Sequence, residues 1–203
     1  MSKIITYFYD FSSPYAYLGH EEIGRVAARH KATVVWRPFL LGGLFKSLGV
    51  PMAPILGGSA NKRAILMADM YRWAELRQLP FAWPAQFPLN TVRPLRVMCQ
   101  LQGDVHQAVA SALFHLYWGQ DRNIADSALL IEVLDRHGLD GAALVAATET
   151  AEVKQMLIDA GQEAFDRGLC GAPTFVIGDQ LVWGQDRMEF VGRLLDGWVP
   201  KVG

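Results

Sequence analysis

Strand-forming runs in this sequence are confined to its two ends. Residues 3–9, KIITYFY, are β-branched and aromatic and stop at Asp10, and residues 32–41, ATVVWRPFLL, have the same character. The next such runs come only within 171–184, GAPTFVIGDQLVWG, as two short apolar stretches separated by Gly178, Asp179 and Gln180, the pattern of a hairpin. Two strands make at best a marginal sheet, so the two ends must share one. From Pro14 to about His30 the period is helical, with Leu18, Ile23, Val26 and Ala27 on one side, and a strand, helix and strand in succession predict a parallel pair with a right-handed crossover.

Between the ends the sequence predicts only helices and loops. Residues 42–60, rich in Gly, Pro and Ser, read as a loop. Leu66, Met70 and Trp73, and later Val105, Val109, Leu113 and Leu116, follow helical spacing, and a third helix runs from about Asp126 to His137 with Gly138 just past its end. The run 79–94, LPFAWPAQFPLNTVRP, carries four prolines and reads as irregular. A helix near residue 150 places Val153, Met156, Leu157, Ala160 and Ala164 on one face before Gly168, and a last helix spans about Arg187 to Leu195. The tryptophans at 73, 83, 118 and 198 are expected in the core. The chain is thus expected to be α/β, with residues 1–42 and 149–203 forming one discontinuous domain and 43–148 an inserted all-helical one.

A formal net charge of -1 and no clustered basic face argue against nucleic acid or an anionic membrane as a partner. The first ten residues, MSKIITYFYD, lack a signal-peptide pattern, and no apolar span would cross a membrane, so a cytoplasmic protein is expected. Cys99 and Cys170 form neither a C-x-x-C nor a zinc spacing, and no metal site is expected.

Three places offer chemistry. Ser13-Pro14-Tyr15-Ala16 opens a helix directly after a strand, where unsatisfied N–H groups and the helix dipole favour an anion such as a thiolate. Ser12 or Ser13 is there either a helix cap or a hydrogen-bond donor to a bound sulfur. In Gly171-Ala172-Pro173-Thr174-Phe175 a proline opens a strand, where a cis bond is at home. In Trp183-Gly184-Gln185-Asp186-Arg187 a polar trio precedes a helix, either as its cap or as a site for a zwitterion. The histidines at 20, 30, 106, 115 and 137 are scattered and read as surface or packing residues, and Cys170 reads as a small hydrophobe.

Together these places resemble the thioredoxin-like DsbA group: a strand, a C-P-x-C-like tetrapeptide on a helix, a helical insertion and a distant X-Pro-Thr before a hairpin. Serine and alanine stand where redox members have cysteines, so this chain cannot form a disulfide at the motif. Within the group, FYDFSSPYAYLG, CGAPTFVIGD, WGQDRMEFV and FPLNTVRPLR are similar to segments of the glutathione-dependent 2-hydroxychromene-2-carboxylate isomerases and the related kappa-class glutathione transferases, over essentially the whole chain.

The resemblance implies a thioredoxin-like fold with a large helical insertion, and glutathione as cofactor. It implies that Ser13 holds glutathione's sulfur as the thiolate, that Pro173 is the cis-proline, and that the Ala172 main chain pairs with the cysteinyl backbone. Gln185 and Asp186 would bind the γ-glutamyl end, and Lys62 a carboxylate. It further implies isomerisation of a small aromatic carboxylate, 2-hydroxychromene-2-carboxylate, to trans-o-hydroxybenzylidenepyruvate, or else conjugation of glutathione as in a kappa-like transferase, by a homodimer. A ligand carrier without turnover is the reading from a different class. Tyr15, Phe39, Trp83 and Asn90 are expected to line the substrate pocket. One departure stands out: Val50 falls where family members often carry asparagine.

Overall fold

The computed structural model describes residues 3–201. Strands β1 (Lys3–Tyr9) and β2 (Ala32–Pro38) run parallel, from Lys3 opposite Ala32 to Tyr9 opposite Pro38. Strand β3 (Thr174–Ile177) adds antiparallel to the other edge of β1, with Tyr7 opposite Phe175, and β4 (Gln180–Trp183) completes a sheet of order β2-β1-β3-β4. The two ends of the chain do share one sheet.

Alternation along β1 divides the core. Ile5, Tyr7 and Tyr9 face helix α1 (Pro14–His30), and the Tyr7 ring stacks between Tyr9 at 5.3 Å and Phe175 at 5.1 Å. Phe8 points the other way, into a second cluster with Phe39, Leu41, Leu44 and Phe45. The helices between β2 and β3 are α2 (Leu41–Leu48), α3 (Ala60–Leu76), α4 (Val92–Cys99), α5 (Gly103–Phe114), α6 (Ser127–Arg136), α7 (Gly141–Ala147) and α8 (Ala151–Asp166). Helix α9 (Met188–Leu195) closes the chain beside α1.

Three expectations change. The stretch 42–60 is not all loop, because Leu41, Leu44 and Phe45 bury one face of α2, which Gly49 ends at φ 68°; Pro54–Leu56 adds a short 3-10 turn. The glycine pair Gly42-Gly43 masked that period. Helix α4 starts inside the proline run, since Pro94 occupies its first turn, where no N–H is needed. Trp198 is 44% exposed and stacks on Phe190 rather than joining the core, whereas Trp118 is fully buried. The Trp118 indole N–H donates to Phe11 O at 2.8 Å and its carbonyl accepts from Ala82 N–H at 2.7 Å, tying the proline run to the segment after β1.

Among the described residues, no helix is long and apolar enough to cross a membrane, and no group of His, Cys, Asp or Glu is arranged to hold a metal.

Candidate functional site

A cavity of about 1110 Å³ opens beyond the end of β1, walled by the start of α1, by α2 and the 50–55 segment, by α3, by residues 87–92, and by the turns at 170–172 and 183–187. Ser13, Tyr15, Lys62, Asn90, Ala172, Gln185 and Asp186 all line it. Five segments of the chain therefore meet at one place.

Ser13 is the N-cap of α1: its Oγ accepts from Ala16 N–H at 3.1 Å and its hydroxyl donates to Ala172 O at 2.8 Å. Capping and contact with the Ala172 turn coexist, so the two local readings of this serine are not exclusive. The Ala172–Pro173 bond is cis, as is Phe87–Pro88. Pro173 turns its ring inward: a Cβ on Gly19 of α1 would lie 3.6 Å from Pro173 Cγ and 3.2 Å from Gln185 Cβ. Glycine at 19 is what lets α1 approach both turns.

The turn at 184–187 is held from two sides. Gly184, at φ 107°, donates its N–H to Pro173 O at 3.0 Å, and the Arg77 guanidinium donates to Gln185 O at 2.9 Å and to Leu18 O while lying 4.6 Å from the Trp73 ring centre. Gln185 is 2% exposed, and its Oε1 has no hydrogen-bond partner. An unpaired buried acceptor costs about 1–3 kcal/mol. Asp186 beside it is exposed and bonded to Arg187 at 3.1 Å.

Asp10 forms the floor. Its fully buried carboxylate accepts from Ser12 N–H at 2.9 Å, from Leu41 N–H at 2.8 Å and from the Thr91 hydroxyl at 2.7 Å. Burial pushes its pKa up, and the three hydrogen bonds pull it partly back. One carboxyl thus joins the serine turn, the start of α2 and the start of α4. Sequence reasoning missed Asp10, Thr91 and Arg77; the only signal was a charged residue set between Tyr9 and Phe11.

Of the expected pocket residues, Phe39 does not reach the cavity: it is fully buried in the second core cluster, edge-on to Phe8 at 6.0 Å. Trp83 stands behind the wall, 4.6 Å from Phe87, which does line it. Asn90 is at the rim, its Oδ1 accepting from Val92 N–H at 3.1 Å. Tyr15 is half-buried, and burial raises its pKa. Cys170 also lines the cavity but is exposed, not the buried small hydrophobe expected; partial desolvation still pushes its thiol pKa up, opposite to what a reactive thiol needs. Cys99 lies elsewhere, pushed up to about 12 for the same reason.

The arrangement provides a hydroxyl at a helix N-terminus, a cis-proline turn bonded to it, an exposed carboxylate at Asp186, and an apolar wall. Residues 4–196 match the family model described as DSBA-like thioredoxin domain. A 2-hydroxychromene-2-carboxylate isomerase of Sphingobium xenophagum is 28% identical over 96% of this chain and 99% of its own length. Glutathione s-transferase kappa 2 of Caenorhabditis elegans is 31% identical over 95% of this chain and 92% of its own. A solved 2-hydroxychromene-2-carboxylate isomerase structure superposes with a TM-score of 0.84 at 23% identity, covering 96% of this chain and 95% of that one.

Proposed function

The chain belongs to the DSBA-like thioredoxin domain family, and from that premise we propose that it is a glutathione-dependent isomerase acting on 2-hydroxychromene-2-carboxylate or a close relative, in the breakdown of naphthalene-type aromatics. Two named relatives, an isomerase and a kappa transferase, support a glutathione-linked enzyme. The observation that carries the reading is Ser13 at the start of α1, bonded to the Ala172 carbonyl, in one cavity with Gln185 and Asp186. The exposed Asp186 carboxylate offers a negative charge to the ammonium of a γ-glutamyl group.

Ser13 and Ala172 act as a unit. In the free protein the one hydroxyl proton of Ser13 serves Ala172 O. A thiolate arriving at the start of α1 takes that proton as its hydrogen bond and frees Ala172 O for the cysteinyl N–H of glutathione, in the manner of an added strand. The α1 dipole favours the anion further. Lys62, exposed on α3 at the cavity wall, meets a carboxylate.

The thiolate then adds to the conjugated enone of the ring-opened substrate, turning a double bond into a single one. Rotation and expulsion of the thiolate give trans-o-hydroxybenzylidenepyruvate, with glutathione regenerated. The chain's task is to hold the thiolate and orient the acceptor. A kappa-like transferase would retain the thioether instead, using the same groove.

The test follows conversion by absorbance with and without glutathione. Glutathione-dependent conversion that falls in Ser13→Ala supports the isomerase. Binding of glutathione without conversion, and with a conjugate formed from an apolar electrophile, moves the assignment to the transferase.

A further inference from the structure

Asp10 lines the cavity that holds Ser13, although the residue is fully buried, and the isomerisation drawn above makes no use of it. Carboxyl and serine belong to one turn: Ser13 N–H donates to Asp10 O at 3.1 Å, and Ser12 N–H to Asp10 Oδ1 at 2.9 Å. Ser12 is partly exposed and lines the cavity too, with its hydroxyl near enough to the carboxyl to favour its ionised form.

The carboxyl is held by donors but not neutralised. Oδ1 accepts from Ser12 N–H and the Thr91 hydroxyl, whereas Oδ2 accepts only from Leu41 N–H, which leaves a lone pair of Oδ2 free for a proton. The phenols that feel its charge, Tyr9 and Tyr117, stay neutral because burial raises both. The charged side chains on the cavity wall are Lys46, Lys62, Asp69, Asp186 and Arg187. Among the described residues no cation pairs with Asp10.

A thiolate brought to Ser13 is therefore a second anion beside an uncompensated one. Two anions in a dry site do not both stay ionised, and one of them takes a proton. The thiolate has the α1 dipole and the Ser13 hydroxyl to hold its charge, whereas burial opposes the charge on Asp10.

Resting on the glutathione reading above, we propose that Asp10 is the base that receives the thiol proton of glutathione, passed on by the Ser12 hydroxyl. The S–H bond breaks and sulfur keeps the electron pair; Ser12 Oγ takes the proton while its own moves to the Asp10 carboxylate. The proton stays there while the thiolate adds to the substrate and leaves it, and returns to sulfur when glutathione departs as the thiol. No base from solvent is consumed.

The test counts protons. Glutathione is titrated calorimetrically into the full chain at neutral pH in buffers of different ionisation enthalpy, with S-methylglutathione, which has no thiol, as the baseline. Ultraviolet difference absorbance reads the thiolate, and infrared difference spectra read protonation of a carboxylate. The wild type is expected to show a thiolate band and a new carboxylic-acid band with essentially no proton released to the buffer. In Asp10→Asn the thiolate forms with release of about one proton per glutathione bound and no acid band. In Ser12→Ala the proton count holds, and thiolate formation in stopped flow slows by about tenfold or more; an unchanged rate overturns the part given to Ser12. About one proton released per thiolate in the wild type, or a thiolate band without an acid band, overturns the proposal whether or not the asparagine variant folds. Glutathione that does not bind, or that binds with no thiolate band, overturns the glutathione reading itself and the proposal with it.

Discussion

Ser13 and Ala172 are 159 residues apart in the chain, yet the Ser13 hydroxyl donates to the Ala172 carbonyl at 2.8 Å. That bond closes the helix start onto the cis-proline turn. Because the same oxygen also caps α1 through Ala16 N–H, Ser13→Ala has two separable effects. Stability falls by about 1 kcal/mol from the lost cap, read by denaturant unfolding. Glutathione-dependent turnover falls about 100-fold, the scale for removing one donor to a reacting anion. An equal loss of both in proportion to unfolded protein would reduce the serine to a cap.

Asp10 is the joint between the serine turn, α2 and α4. Asp10→Asn turns an NH₂ toward groups that are themselves donors, and is expected to destabilise by about 2–3 kcal/mol. Thr91→Val removes one donor and leaves two, costing about 1 kcal/mol. Urea midpoints of the two variants give the order directly; a Thr91→Val as damaging as Asp10→Asn would mean that the threonine matters for α4 rather than for the carboxylate.

Arg77 holds the turn that carries Gln185 by its main-chain oxygen. Arg77→Met keeps much of the packing on Trp73 but frees that turn, so glutathione affinity should drop about five- to tenfold with kcat nearly unchanged. Calorimetry with glutathione, beside steady-state kinetics, separates this from a general loss of fold, which would lower the active fraction and leave KM alone.

Two buried histidines set the acid limit. His20 is lowered to about 3 and His106 to about 4, both chiefly by burial, and His106 accepts from Tyr9 O–H at 2.7 Å while its Nδ1–H donates to Leu101 O at 3.0 Å. Both stay neutral in the folded chain while the unfolded chain protonates near pH 6.5. Between pH 6.5 and about 4 the unfolded state binds more protons, so stability rises with pH there and is fully present above 6.5. By pH 4, His20 alone forfeits on the order of 3 kcal/mol. Asp10 has the opposite sign: raised when folded, it contributes stability present below pH 3.8 and lost as pH rises through its folded value. Unfolding free energies from pH 4 to 8 should therefore climb and then level near 6.5, with His106→Gln shallower; a flat profile would place a charged histidine in the core.

The sequence by itself determined the elements at the ends and marked three segments that the fold brings to one cavity. Strand alternation, Pro14 at a helix start and Gly178 in a hairpin are local effects, expressed wherever those residues occur. The family motifs gave Ser13, Pro173, Gln185 and Asp186 by the same local signature. Helix α2 escaped notice because its period depends on Leu41, Leu44 and Phe45 finding the core that Phe8 and Phe39 supply; Phe39 itself went inward for the same reason. The parts with no local signature were decided only in three dimensions. Asp10 becomes a joint only when residues 12, 41 and 91 converge on it, and Arg77 a brace only when α3 lies beside the 185 turn. A buried polar group takes its partners from whatever the packing brings near, and no spacing along the chain records which those will be.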